Sequence, residues 1–215
     1  MWVECMGVKQ GKNTAKILTM LLVFAMILVA HESVQFVSTL EEHIRAAKNK
    51  SVTIVVDAGH GGIDPGKVGI NKALEKDINL AIALKLERNL KESGVNVVMT
   101  RTDDSGLYNE GDSNKKVRDM KKRLSIIEEA KPALAVSIHQ NSYPDPSVCG
   151  VQVFYYKDSV KSKAAAEIMQ TQLVKSLKPS KERVAKDNSS YYLLKKTSVP
   201  IMIVEYCVSD RQTSL

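Results

Sequence analysis

Cysteine and aromatic side chains are scarce in this chain of 215 residues, which has 3 Cys, 1 Trp and an aromatic content of 5%. Cys5, Cys149 and Cys207 are odd in number and far apart, which excludes a disulfide framework and zinc-finger spacing. Cys149 and Cys207 read as small buried hydrophobes, with a redox role as the lesser option. No Lys/Arg run alternates with aromatics, so nucleic acid is not an expected partner despite the net charge of +7. That charge suits a membrane surface or an acidic polymer, or is simply a generally basic surface. A P-loop is excluded because the Gly-Lys-Ser/Thr pattern is missing. There is no internal repeat.

A long hydrophobic run is missing too. Ile17 to Ala30 is apolar but falls short of the roughly 20 residues of a spanning helix. Lys9, Lys12 and Lys16 precede it, giving the charged and apolar regions of an export signal. A cleaved signal and an uncleaved membrane anchor both fit residues 1–30, with Leu28 a poor residue for cleavage after Ala30. Residues 31–51 are polar and charged and read as a linker or stalk, in which His43 is a surface histidine. The remainder is long enough for one domain with a core.

That domain opens on Val52–Val56, a β-branched run with the signature of a buried strand. It stops at Asp57, and Gly59, Gly61, Gly62 and Gly66 then crowd around His60. Glycine leaves room and permits positive φ, so His60 is expected on a tight open turn at the carboxyl end of a strand. Open α/β sheets place ligand sites there. A glycine turn carrying an incidental histidine competes on equal terms from this stretch alone.

Leu74, Ile78, Ala81, Ile82, Leu86 and Leu90 recur at helical spacing, and Gly94 is a helix stop. Strands are expected over Val95–Met99, Ala133–Ile138, Val148–Tyr156 and Ile201–Val204. Helices are expected over Asn114–Ala130, which is basic, and Val160–Leu177. Tyr191–Leu194 reads as a short strand or turn, and Lys178–Asn188 as a charged loop. Strands alternating with helices predict an α/β fold, a mostly parallel twisted sheet flanked by helices.

The His60 turn, Leu74-Glu75-Lys76-Asp77, Ser137-Ile138-His139-Gln140-Asn141-Ser142 and Val204-Glu205 occur in one order. Together they resemble the zinc N-acetylmuramoyl-L-alanine amidases of the cell wall, from about Val52 to the C-terminus. The likeness is greatest to the short single-domain type of spore-cortex maturation and germination. The resemblance implies hydrolysis of the amide between the muramic acid lactyl group and L-alanine of peptidoglycan. It implies Zn2+ held by His60, Glu75 and His139, a standard catalytic set that leaves a fourth position for water. Taken alone, Glu75 would read as a helix N-terminal acid and His139 as a hydrogen-bonded core histidine. Glu205, directly after an apolar run, is the implied catalytic base; a salt bridge to a lysine such as Lys195 is the plainer reading. Asn141 and Ser142 are candidates for contact with substrate or for supporting the ligands. Arg123 matches a recurrent family arginine, and a solvated helix face explains it equally well.

Two departures stand out: Cys207 replaces a family Gly, and Asp210 a family Asn. The family continues with a further helix where this chain stops at Leu215, so residues 52–215 read as a truncated catalytic domain with one sheet face partly uncovered. The competing function is a degenerate amidase that binds wall without cleaving it. The expected partner is peptidoglycan, with membrane contact through the N-terminal segment; a protein partner is not readable. The expected location is outside the cytoplasm, in the wall or anchored to the membrane, the spore intermembrane space included.

Overall fold

The computed structural model describes residues 52–69, 71–141, 150–179 and 181–207, together with Gln35. The chain divides into two compact units, Met1–Lys50 and Ser51–Leu215. The N-terminal signal or anchor, the stalk, Ser142, Cys149 and the segment after Cys207 lie outside the described residues. No helix among the described residues is long and apolar enough to cross a membrane.

The second unit is an α/β sheet with helices on both faces. Its elements run β1 (Thr53–Ala58), α1 (Glu75–Glu92), β2 (Asn96–Met99), α2 (Lys115–Ala130), β3 (Leu134–Gln140) and β4 (Gly150–Tyr155). They continue with α3 (Val160–Leu177), β5 (Lys186–Asp187), α4 (Tyr192–Lys196) and β6 (Ile201–Cys207). The strand order is β2-β1-β3-β6-β4-β5. β2, β1, β3 and β6 are parallel; β4 runs antiparallel to β6 and parallel to β5.

The two-residue period of the strands sorts their apolar side chains into two cores. Val56, Ala58, Val136, Ile138 and Met202 face one way and pack with Ala83 of α1 and Ala166 of α3. Val55, Ala135, Ile201 and Ile203 face the other way and pack with Ile127 of α2 and Leu193 and Leu194 of α4. Both faces of the central strands are therefore covered, which is why these strands read as continuous apolar runs.

Four elements differ from the sequence reading. β3 and β6 do not stop before His139 and Glu205 but run through them. The Tyr191–Leu194 region is the one-turn helix α4, too short to show periodicity. The charged loop contains β5, whose two residues, both exposed, give no strand signature. Gly94, at φ 79°, follows the end of α1 as expected of a helix stop.

The connection from β1 leads outward to β2, while β3 lies on the other side of β1. The carboxyl ends of β1 and β3 thus flank the point where the sheet order reverses, the usual ligand crevice of such sheets.

Candidate metal centre and active site

His60 follows β1 in the left-handed region at φ 63°, an uncommon conformation for a residue other than glycine. Gly61 and Gly62, also at positive φ, continue the turn. The turn aims the imidazole back over the sheet edge. Its Nδ1 lies 2.9 Å from Asp64 Oδ2, and its Nε2 lies 3.2 Å from Glu75 Oε1. An Nδ1–H donated to Asp64 leaves Nε2 as the free lone pair, the arrangement in which a carboxylate orients a metal-ligating histidine. Burial lowers the His60 pKa, but Glu75 and Asp64 outweigh it and raise it above the ordinary imidazole value.

Glu75 is the first residue of α1 and is buried. A carboxylate there is favoured by the positive end of the helix dipole. Its Oε2 accepts the Lys67 amide at 2.8 Å and its Oε1 the Gln140 amide at 3.0 Å. Burial pushes its pKa up, yet the hydrogen bonds with His139, His60 and those amides hold the carboxyl far below the usual range. His139, in β3, places Nδ1 3.2 Å from the same Oε1, and its ring meets that of His60 edge-on with centroids 5.0 Å apart.

Glycines make this convergence possible. A Cβ on Gly59 would stand 2.3 Å from Cε1 of His139, and one on Gly66 would stand 2.7 Å from Glu75 Oε2 and His60 Cδ2. His60, Glu75 and His139 each offer one ligand atom, all within 4.8 Å of one another. Ligands at about 2.0–2.2 Å around a tetrahedral ion sit roughly 3.4 Å apart. The two contacts at 3.2 Å are close to that, so this donor set can hold a metal ion.

Glu205 is the register partner of His139 across β3 and β6. Its Oε1 accepts the Tyr191 hydroxyl at 2.7 Å, and no ion pair to Lys195 forms among the described residues. Burial and the Glu205 carboxylate push the Tyr191 pKa up, so this phenol stays a donor. Tyr191 is itself fixed by Asn188, whose Oδ1 accepts the Tyr191 amide at 3.0 Å. His60, His139, Glu205, Tyr191, Met120 and Leu193 line part of a cavity of about 150 Å³.

Arg123 is not on a solvated face: it is 1% exposed. Its Nη1 lies 2.6 Å from Asp57 Oδ1 and its Nε 2.5 Å from Asp119 Oδ2. It also donates to the carbonyl oxygens of Ala58, at 2.7 Å, and His60, at 2.5 Å. It holds the backbone of the His60 turn from below. Arg101 does the same nearby, donating to the carbonyls of Ala58, Gly59 and Lys76. Burial would raise the Asp57 pKa, but Arg123 and the Ser137 and Thr100 hydroxyls lower it to about 2.

The structure therefore brings His60, Glu75, His139 and Glu205 to one sheet edge, with Arg123 beneath the His60 turn. Asn141 is placed next to them, its amide donating to the Tyr206 carbonyl at 3.0 Å. Sequence reasoning missed Asp64, Asp57, Asp119, Arg101 and Tyr191. Asp64 was signalled by its spacing of four from His60 on a glycine turn. Asp119 and Arg123 carried the i, i+4 signal of a helical pair. Nothing local marks Tyr191.

A family described as N-acetylmuramoyl-L-alanine amidase matches residues 54–214. The chain is 36% identical over 155 residues to the germination-specific N-acetylmuramoyl-L-alanine amidase of Bacillus subtilis, covering 71% of this chain and 65% of that protein. It is 32% identical to the probable cell wall amidase LytH of Staphylococcus aureus, covering 71% of this chain and 46% of that one. It thus spans less than two thirds of the length of either. Among solved structures, the CwlD amidase of Clostridioides difficile, in complex with the GerS lipoprotein, superimposes with a TM-score of 0.70 at 39% identity. The match covers 74% of this chain and 83% of that one.

Proposed function

The chain belongs to the N-acetylmuramoyl-L-alanine amidase family, and from that premise we propose that it hydrolyses the amide between N-acetylmuramic acid and L-alanine in peptidoglycan. We further propose that it does so with Zn2+ held by His60, Glu75 and His139, outside the cytoplasm, in spore-cortex maturation and germination. The observation that carries the reading is the convergence of two imidazoles and one carboxylate within 4.8 Å, beside a cavity that Glu205 lines. The spore role is supported by the likeness to the germination-specific protein of Bacillus subtilis. A lipoprotein partner is suggested by the complex in which the Clostridioides difficile relative was seen.

Bound zinc supplies a Lewis acid that acidifies water and polarises the scissile carbonyl. The protein's own groups do the rest. Asp64 fixes the His60 tautomer, and the amides of Lys67 and Gln140 keep Glu75 ionised and oriented. Glu205 accepts the proton of the attacking water and delivers it to the departing amine of L-alanine. Tyr191 donates to Oε1 of Glu205, a residue that lines the cavity, and Oε2 remains to act as the base. Arg123 and Arg101 hold the strand end and turn rigid, so the geometry is set before substrate arrives.

The test pairs zinc content with release of L-alanine-terminated peptide from purified muropeptide. The full chain is expected to carry one zinc and cleave. Glu205→Gln is expected to keep zinc and lose turnover about 100- to 10,000-fold. Zinc retained at full occupancy in both His60→Ala and His139→Ala would overturn the ligand assignment. Zinc without any cleavage by the full chain would favour the degenerate, wall-binding reading.

A further inference from the structure

Helix α2 carries Arg118, Lys121, Lys122 and Ser125 at i, i+3, i+4 and i+7, the spacing of a single helical face. That face forms one wall of an open groove of about 510 Å³, and Gly106, Leu107, Tyr108 and Asn109 of the preceding loop form the other. Arg118, Lys121 and Lys122 are exposed. The acid lining this groove is Asp112, which lies 3.6 Å from Arg118. Among the described residues Lys121 and Lys122 meet no carboxylate. Asp119, the first acid of α2 itself, is turned inward, taken by Arg123 and by the Leu107 amide at 2.8 Å. With Asp119 turned inward, the outer face presents Arg118, Lys121 and Lys122 ahead of the exposed Glu129, which accepts the Ser125 hydroxyl.

This groove is not isolated from the chemistry. Tyr108 lines both it and the cavity that holds His60, His139 and Glu205. The Tyr108 hydroxyl accepts the Ile63 amide at 2.8 Å, and a Cβ on Gly106 would stand 1.9 Å from its ring, so the shared wall is built tightly. Lys115 stands 5.4 Å above the same ring. A substrate whose scissile bond lies at His139 and Glu205 therefore has a cationic groove beside it.

Resting on the amidase reading above, we propose that this groove is the subsite for the carboxylates of the stem peptide, with Lys121 and Lys122 as the residues that select a charged peptide. The chemistry of the substrate decides which half goes there. The lactyl carboxyl of muramic acid is consumed in the amide, so the N-acetylated glycan strand is neutral. The stem peptide carries the free carboxylates, from its glutamyl residue onward. Lys121 and Lys122, beside an Arg118 already paired with Asp112, complement the peptide half by charge, which the neutral sugars lack. Lys121 and Lys122 therefore raise affinity for peptide that keeps its carboxylates and discriminate against amidated peptide.

The experiment compares two purified muropeptides, one with free stem-peptide carboxylates and one with them amidated, on the zinc-loaded full chain and on Lys121→Gln/Lys122→Gln. The expected result is a kcat/KM preference for the free carboxylates on the order of 10-fold, carried in KM, which falls to about 1 in the variant. The preference should also shrink as salt rises. Because each protein is its own reference, any loss of folded variant cancels from the ratio. Equal preference in the two proteins, or none in the full chain, would overturn the subsite. Inhibition of the full chain by polyglycerol phosphate, lost in the variant and without any preference between muropeptides, would reassign the groove to an anionic wall polymer and overturn it as well. Calorimetric binding of the same muropeptides reads the groove without cleavage, so a failed amidase reading is distinguishable from a failed subsite.

Discussion

At the scale of single residues, the room around His139 is as consequential as the histidine itself. Gly59 has no side chain because the His139 ring occupies that space. Gly59→Ala is expected to push the ring aside and lower zinc affinity at least about 10-fold, as loss of ligand orientation does elsewhere. Gly111→Ala meets nothing within 4 Å and should change zinc content not at all and stability by less than about 0.5 kcal/mol. Metal titration of the two variants checks both, and equal zinc affinity in the two would refute the steric argument. On the proposed mechanism Tyr191 is a positioning residue, acting through its hydrogen bond to Glu205. Tyr191→Phe removes one hydrogen bond to a carboxylate, worth about 1.5–3 kcal/mol, and should lower kcat on the order of 10-fold with zinc unchanged. In the Glu205→Gln background the same change should cost little more, since the two groups act as a unit. Additive losses would mean that Tyr191 touches substrate independently.

At the scale of elements, the Arg123–Asp57 pair joins α2 to the end of β1 where the His60 turn begins. Both partners are nearly inaccessible to water, so removing one strands a buried charge. Arg123→Met is expected to cost about 3–5 kcal/mol in a denaturant titration. A loss below 1 kcal/mol would show that water reaches Asp57. The same pair gives a pH dependence. The folded-state pKa of Asp57, about 2, lies below its ordinary 3.8. Its contribution is therefore fully present above about pH 4 and lost as pH falls towards 2. Unfolding midpoints measured across that window should drop less steeply in Asp57→Asn. The elements that carry this design were legible to different degrees. α1 showed itself through apolar periodicity and β1 through a β-branched run. His60, Glu75, His139 and Glu205 were legible only together, because their four strings occur in the order of the family they resemble; taken alone, Glu75 and His139 read as structural residues. The Asp57, Asp119 and Arg101 network was not, because it forms between segments distant in the chain and its polar residues look like surface residues when read locally. Arg123 was weighed as a solvated residue for the same reason. α4 escaped because five residues cannot display a 3.6-residue period.

At the scale of the whole molecule, among the described residues the contacts that build the site lie within one unit, Ser51–Leu215, and both of its cores are formed from residues after Val52. A chain begun at Ser51 is therefore expected to fold and to bind one zinc. It should cleave muropeptide within about twofold of the full chain, while failing to leave the cytoplasm. On the proposed reading, chemistry belongs to the sheet edge, and Lys9, Lys12, Lys16 and the run Ile17–Ala30 are the expected means of delivery. Cell fractionation of both forms, with zinc content and turnover measured on the purified proteins, separates the two. Normal export of the shortened chain would remove the signal reading. Loss of zinc or turnover from a shortened chain that is otherwise folded would show that residues before Ser51 belong to the catalytic unit.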